Sequence, residues 1–66
     1  MNEIQFKVPV SAGEEIVRKF KEYGYDVGTD AFYEDPENFY TVIVRVSDPF
    51  KIARQIAQTF GVIEKR

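Results

Sequence analysis

Residues 10–18 read VSAGEEIVR, and residues 46–54 repeat the pattern as VSDPFKIAR. In both stretches a valine–serine pair is followed, at matching positions, by an isoleucine and an arginine. The valine is typical of a strand, the serine of a helix cap, and the isoleucine of the buried side of a helix. The chain is therefore predicted to use one strand–helix unit twice.

Alternating apolar residues surround both copies of this unit. Segments 4–10 (IQFKVPV), 25–33 (YDVGTDAFY) and 39–46 (FYTVIVRV) alternate with a period of two, which predicts half-buried strands. A short final strand is expected in VIEKR, residues 62–66. The two predicted helices therefore lie between the first and second strands and between the third and fourth.

Helix boundaries are marked by capping residues. Ser11 and Glu14 form a predicted capping box at the start of the first helix, and Gly24 ends it. The second helix is predicted to start at Ser47 or Asp48, next to a proline that suits a first turn. The stripes that should face the core are Ile16, Val17, Phe20 and Tyr23 in the first helix and Ile52, Ala53, Ile56, Ala57 and Phe60 in the second.

Two βαβ units with right-handed crossovers fold into one four-stranded antiparallel sheet. The prediction is an α+β, ferredoxin-like βαββαβ sandwich with strand order 4-1-3-2 and both helices on one face. At 66 residues, the whole chain 1–66 is expected to be a single domain.

The second and third strands should form a hairpin whose inward faces coincide, which sets its register. The simplest register leaves Glu34–Glu37 as the loop and directs Tyr33 and Tyr40 to the end of the core. On the open face of the sheet, Phe32 then lies opposite Phe39.

Phe32, Phe39 and Ile43 are predicted to form an apolar patch on the open face, next to a charged pair of Asp26 and Arg45. Such a patch is a candidate contact surface for a protein partner. The alternative is that the two rings only stabilise the hairpin, by about 0.2–1 kcal/mol. Nucleotide stacking is a third possibility, but the RNP1 pattern of RNA-binding sheets is missing from the third strand.

The composition argues against several classes of function. Nine basic and eleven acidic residues give a net charge of −2, which disfavours nucleic-acid binding. The chain has no histidine and no cysteine, so it lacks the commonest general base, metal ligand and thiol nucleophile. We expect no enzyme activity, no metal and no cofactor, and we expect a cytoplasmic protein without a membrane segment.

The stretch VPVSAGEEIVRKFKEYGYDV, residues 8–27, resembles the start of an ACT domain, a small βαββαβ module that senses amino acids. The resemblance rests on Gly13, where the first strand meets the helix, and on GYDV, residues 24–27. The residue two places after that glycine is usually apolar in the family, and here it is Glu15. The resemblance implies paired domains with an amino acid bound at the dimer interface, and the implied ligand residues are Ser11, Ala12, Gly13, Tyr25, Asp26 and Val27.

Two classes of function follow from the sequence. The first is a non-enzymatic protein-interaction module that forms a homodimer or binds and inhibits a larger protein, through Phe32, Phe39, Ile43, Asp26 and Arg45. The second is an ACT-like regulatory domain that binds a small molecule. A single domain of this size has little room for a deep pocket, which favours the interaction module.

Overall fold

A computed structural model describes residues 2–46 and 51–65 of the chain. Within these ranges, β1 is Asn2–Pro9, α1 is Gly13–Glu22, β2 is Asp26–Ala31, β3 is Phe39–Val46, α2 is Lys51–Phe60 and β4 is Ile63–Glu64. A 3-10 turn, Val10–Ala12, joins β1 to α1. The predicted caps of the second helix, Ser47 and Asp48, lie outside the described residues.

The four strands form one antiparallel sheet in the order β2-β3-β1-β4. The sequence predicted the order 4-1-3-2. The observed order, read from the β2 edge, is 2-3-1-4, and the two orders list the same neighbours from opposite edges of the sheet. The α+β class agrees with the prediction.

The predicted fold needs correction in the extent of its strands. A short final strand was expected within residues 62–66, and the structure limits it to the two residues Ile63–Glu64, which pair with Phe6 and Lys7. The sheet therefore consists mainly of β1, β2 and β3, and β4 is a two-residue strand along the edge of β1.

One face of the sheet carries the core. Both helices contribute to a single buried cluster together with the alternating residues of β1 and β3, so both helices lie on that face. The buried residues are Ile4, Phe6, Val8, Ile16, Phe20, Val42, Val44, Ala53, Ile56 and Ala57. Phe6 and Phe20 stack with their ring centroids 5.7 Å apart, which joins β1 to α1.

The start of the first helix differs from the prediction. The N-cap is Ala12, and no side chain caps the helix. The predicted capping box of Ser11 and Glu14 is therefore wrong, because Ser11 lies inside the 3-10 turn that precedes the helix. The chain leaves β1 through this tight turn instead of through a side-chain cap.

The hairpin register is confirmed along β2 and β3, where Ala31 pairs with Tyr40 and Asp26 with Arg45. The loop, however, is longer than predicted, because the last pair of this ladder joins Ala31 to Tyr40 and residues 32–38 lie between β2 and β3. Tyr33 is 77% exposed, so its predicted place at the end of the core is wrong.

The inner side of β2 is also less covered than expected. Val27 is half-buried and packs against the core, but Thr29 and Ala31 on the same side are exposed. The helices thus cover the central strands β1 and β3 and leave the far part of the β2 edge open.

Candidate interaction surface

The open face of the sheet carries a group of side chains that the helices do not cover. Along β3 this face presents Phe39, Thr41, Ile43 and Arg45, because Tyr40, Val42 and Val44 point to the core. From β1 it receives Gln5 and Lys7, the ladder partners of Ile43 and Thr41.

Phe32 and Phe39 form the aromatic centre of this face. Their ring centroids lie 6.0 Å apart with the planes at 63°, an edge-to-face arrangement that aromatic pairs favour. Both rings are half-buried. The predicted contact between the two rings is therefore present, although Phe32 lies just beyond the end of β2.

Two lysines converge on these rings. The Lys7 ammonium lies 4.1 Å from the centroid of Phe39 and 4.9 Å from that of Phe32. The Lys65 ammonium lies 5.8 Å from the centroid of Phe32. These distances are within the range of cation–π attraction, and we call Lys7, Lys65, Phe32 and Phe39 the cation–aromatic cluster.

Thr41 is the ladder partner of Lys7 and is 1% exposed, although it faces away from the helices. Its hydroxyl donates a hydrogen bond of 3.3 Å to the carbonyl oxygen of Ala31, so its burial leaves no polar group unsatisfied. The side chains around Thr41 therefore exclude water from this part of the face.

The two ammonium groups of the cluster have no carboxylate partner within the described ranges 2–46 and 51–65. The ion pairs found there join Lys19 to Glu22, Arg45 to Asp26, and Arg54 to Glu64. Aromatic rings attract a cation but carry no net charge, so the cluster keeps a net positive charge.

Asp26 and Arg45 lie at the other end of the open face, as predicted. Their charged atoms are 3.5 Å apart, and both side chains are substantially exposed. An exposed pair of this kind contributes little to stability. Ile43 lies between this pair and Thr41 along β3 and is half-buried.

Sequence reasoning missed two residues of the open face, Ile63 and Lys65. Ile63 pairs with Lys7 and is 67% exposed, and the backbone amide of Lys65 donates to the carbonyl of Gln5 at 2.8 Å. Val62 packs on the core, so the alternation of side chains from Val62 onward puts both residues on the open face. This alternation is the sequence signal that could have found them.

The hairpin loop projects beyond the cluster as an acidic tip, Tyr33–Glu37. Asp35 organises it: its side chain accepts hydrogen bonds from the Asn38 amide at 3.1 and 3.2 Å, and its backbone carbonyl accepts from the Phe39 amide. Glu34 and Glu37 are exposed and make no ion pair within the described part of the chain. The tip therefore presents two unpaired carboxylates beside an exposed tyrosine.

The residues implied by the ACT resemblance lie in two places. Ser11, Ala12 and Gly13 are at the start of α1, whereas Tyr25, Asp26 and Val27 follow its end. The ten residues of α1 separate the two groups by roughly 15 Å at about 1.5 Å per residue. A single copy of the chain therefore does not bring the two groups together.

Gly13 has a packing role that the sequence did not reveal. A Cβ atom at this position would overlap the phenol of Tyr40, so the absence of a side chain makes room for that ring. The φ angle of Gly13 is −63°, which any residue adopts, so the glycine is not required by its backbone conformation. The space beside Gly13 is filled by Tyr40.

Burial raises the pKa of Tyr40 above its ordinary value of 10.0, and the nearby carboxylate of Glu14 adds to the shift. The phenol is therefore neutral at physiological pH. An open groove of about 390 Å³ lies next to this phenol, lined by Glu14, Val17, Arg18, Lys21, Thr29 and Tyr40.

No group of three or more acidic residues able to hold a metal ion occurs in residues 2–46 and 51–65. The described helices include none that is long and apolar enough to cross a membrane. Comparison of the chain with protein-family models, with curated proteins and with solved structures found no match.

Proposed function

We propose that this chain is a small, non-enzymatic protein-interaction module of the cytoplasm that binds its partner through the open face of the sheet. The partner is a second copy of the chain or a larger protein that the module inhibits. The contact surface consists of the predicted residues Phe32, Phe39, Ile43, Asp26 and Arg45, extended by Lys7, Ile63 and Lys65.

The observation that carries this proposal is the cation–aromatic cluster. Two phenylalanine rings and two lysine ammonium groups meet on a face that neither α1 nor α2 covers. Aromatic residues are enriched at the centres of protein interfaces, and charges without partners are available for pairing across an interface.

The ring geometry favours a protein partner over a nucleic acid. Stacking of a base needs a free ring face. The Lys7 ammonium already lies 4.1 Å from the centre of the Phe39 ring and 4.9 Å from that of Phe32. A carboxylate can approach the ammonium groups without displacing them from the rings.

The experiment is a quantitative pull-down from the source cell with three baits. The first is the wild type, the second is a Phe32→Ser, Phe39→Ser double variant, and the third is a Tyr23→Ser, Ile52→Ser double variant as the control. Tyr23, the C-cap of α1, and Ile52, in α2, are exposed at 56% and 42%, so the control removes a similar kind of surface elsewhere.

We expect the wild type and the control to capture the same protein, either endogenous copies of the chain or a larger partner, and the double phenylalanine variant to lose it. Melting curves of all three baits must show that each is folded. Equal capture by all three folded baits would contradict the proposal.

A further inference from the structure

The acidic tip and the cation–aromatic cluster lie side by side at the same end of the hairpin and carry opposite charges. The cluster offers two ammonium groups without carboxylate partners, and the tip offers Glu34 and Glu37 without cationic partners, all within the described residues. Tyr33, 77% exposed, adds an aromatic ring to the tip.

We infer that the occupant of the open face is a second copy of this chain, whose acidic tip docks on the cation–aromatic cluster. This inference rests on the proposed function, because it names the partner of the same surface. In the complex, Glu34 and Glu37 of one copy pair with Lys7 and Lys65 of the other, and Tyr33 packs beside the phenylalanine rings.

Two-fold symmetry makes the contact reciprocal. The tip and the cluster are adjacent along the strand direction, since Phe32 and Phe39 flank the loop that forms the tip. A two-fold axis that crosses the strands between tip and cluster places the tip of each copy over the cluster of the other. Each contact is then made twice, as in an isologous dimer.

The charges predict a salt-sensitive dimer. Exposed charge pairs weaken as the ionic strength rises, because the Debye length falls from about 10 Å at 0.1 M salt to about 3 Å at 1 M. The dimer should therefore dissociate when salt is added, whereas an interface held together mainly by apolar contacts would be strengthened or unchanged.

Charge reversal tests the pairing directly. One variant carries Lys7→Glu and Lys65→Glu, and the other carries Glu34→Lys and Glu37→Lys. Each variant alone presents two surfaces of like charge, so sedimentation equilibrium should show its dimer dissociation constant raised roughly tenfold or more over the wild type. In an equimolar mixture, each tip again faces a cluster of opposite charge, and a heterodimer of wild-type affinity should form.

A matched control carries Lys21→Glu and Lys51→Glu. These two exposed lysines belong to the helices, and the control has the same change in net charge as the cluster variant. It should dimerise like the wild type. Circular dichroism checks that every variant is folded, and the restoration by mixing cannot arise from a variant that has failed to fold.

Three results would overturn the inference. A wild type that stays monomeric at millimolar concentration excludes a second copy as the occupant, and if the pull-down still captures a larger protein, the proposed function survives. A second result is a dimer that is broken by the Phe32→Ser, Phe39→Ser double variant and yet is insensitive to charge reversal and salt. That result would keep the open face as the contact surface but would exclude the acidic tip as its occupant. A monomeric wild type that binds oligothymidylate, and loses this binding with the cluster variant, assigns the face to nucleic acid instead.

Discussion

At the scale of single residues, the contact of Gly13 with Tyr40 shows most clearly what the sequence concealed. The glycine resembles the loop glycine of a ligand-binding module, yet its missing side chain is what lets the Tyr40 phenol pack against α1. The physical reason lies in a contact between residues far apart in the chain, which no local pattern reports.

Gly13→Ala should therefore destabilise the protein in the wild-type background, because its methyl group overlaps the Tyr40 ring. In a Tyr40→Ala background the same substitution should be neutral or stabilising by up to about 1 kcal/mol, since alanine is the better helix former. Urea denaturation of the four proteins gives the coupling energy.

The decisive result is the difference between the effects of Gly13→Ala on the free energy of unfolding in the two backgrounds. If Gly13→Ala changes the free energy of unfolding equally in both backgrounds, the packing role of the glycine is wrong. The cycle needs no ligand and is independent of the proposed function.

At the scale of secondary-structure elements, the strands were predicted better than the helix ends. Alternation placed β1, β2 and β3 and the hairpin register correctly, because one face of each strand must be buried and a slip of one residue would expose it. The end of β2 and the length of the loop were not predictable in this way. The alternating pattern continues through Tyr33, but the helices do not extend far enough to cover it.

The start of α1 was also mispredicted, which changes an expected mutational effect. A capping serine would cost about 1 kcal/mol when replaced by alanine. Ser11 caps nothing and is exposed, so Ser11→Ala should change the free energy of unfolding by less than about 0.5 kcal/mol.

The core substitutions Phe20→Ala and Ile56→Ala serve as the comparison in the same denaturation series. Phe20 is fully buried and Ile56 is 6% exposed. Each truncation should cost roughly 2–5 kcal/mol, enough to unfold much of so small a domain. A Ser11→Ala variant that is as unstable as either of these would contradict the exposed, non-capping position of Ser11.

β4 and its neighbours show how a short element completes the candidate surface. Its two residues are tied to α2 by Arg54, whose guanidinium donates to the Glu64 carboxylate at 2.9 and 3.4 Å. This tie lies on the core side of the sheet, and the alternation of the strand then places Ile63 and Lys65 on the open face. The sequence predicted a final strand but not its register, so it did not bring Lys65 to the phenylalanine rings.

At the scale of the whole molecule, the two faces of the sheet have different roles. The buried cluster between the helices and the sheet stabilises the chain, while the opposite face keeps aromatic and cationic groups accessible. The sequence predicted the aromatic part of this surface, because Phe32 and Phe39 fall at opposed positions in the hairpin. It did not predict the accumulation of positive charge, which depends on two lysines that the fold brings together from opposite ends of the chain.

The claim that the open face mediates self-association is tested most directly by amide NMR spectra of the labelled wild type over a dilution series, from millimolar to low-micromolar concentration. We predict concentration-dependent shifts in two stretches, residues 32–43 and 63–65, together with Lys7, and none along the exposed side of α1 and α2. Shifts that map to the helices instead of the sheet, or spectra that do not change at any concentration, would contradict self-association through this face.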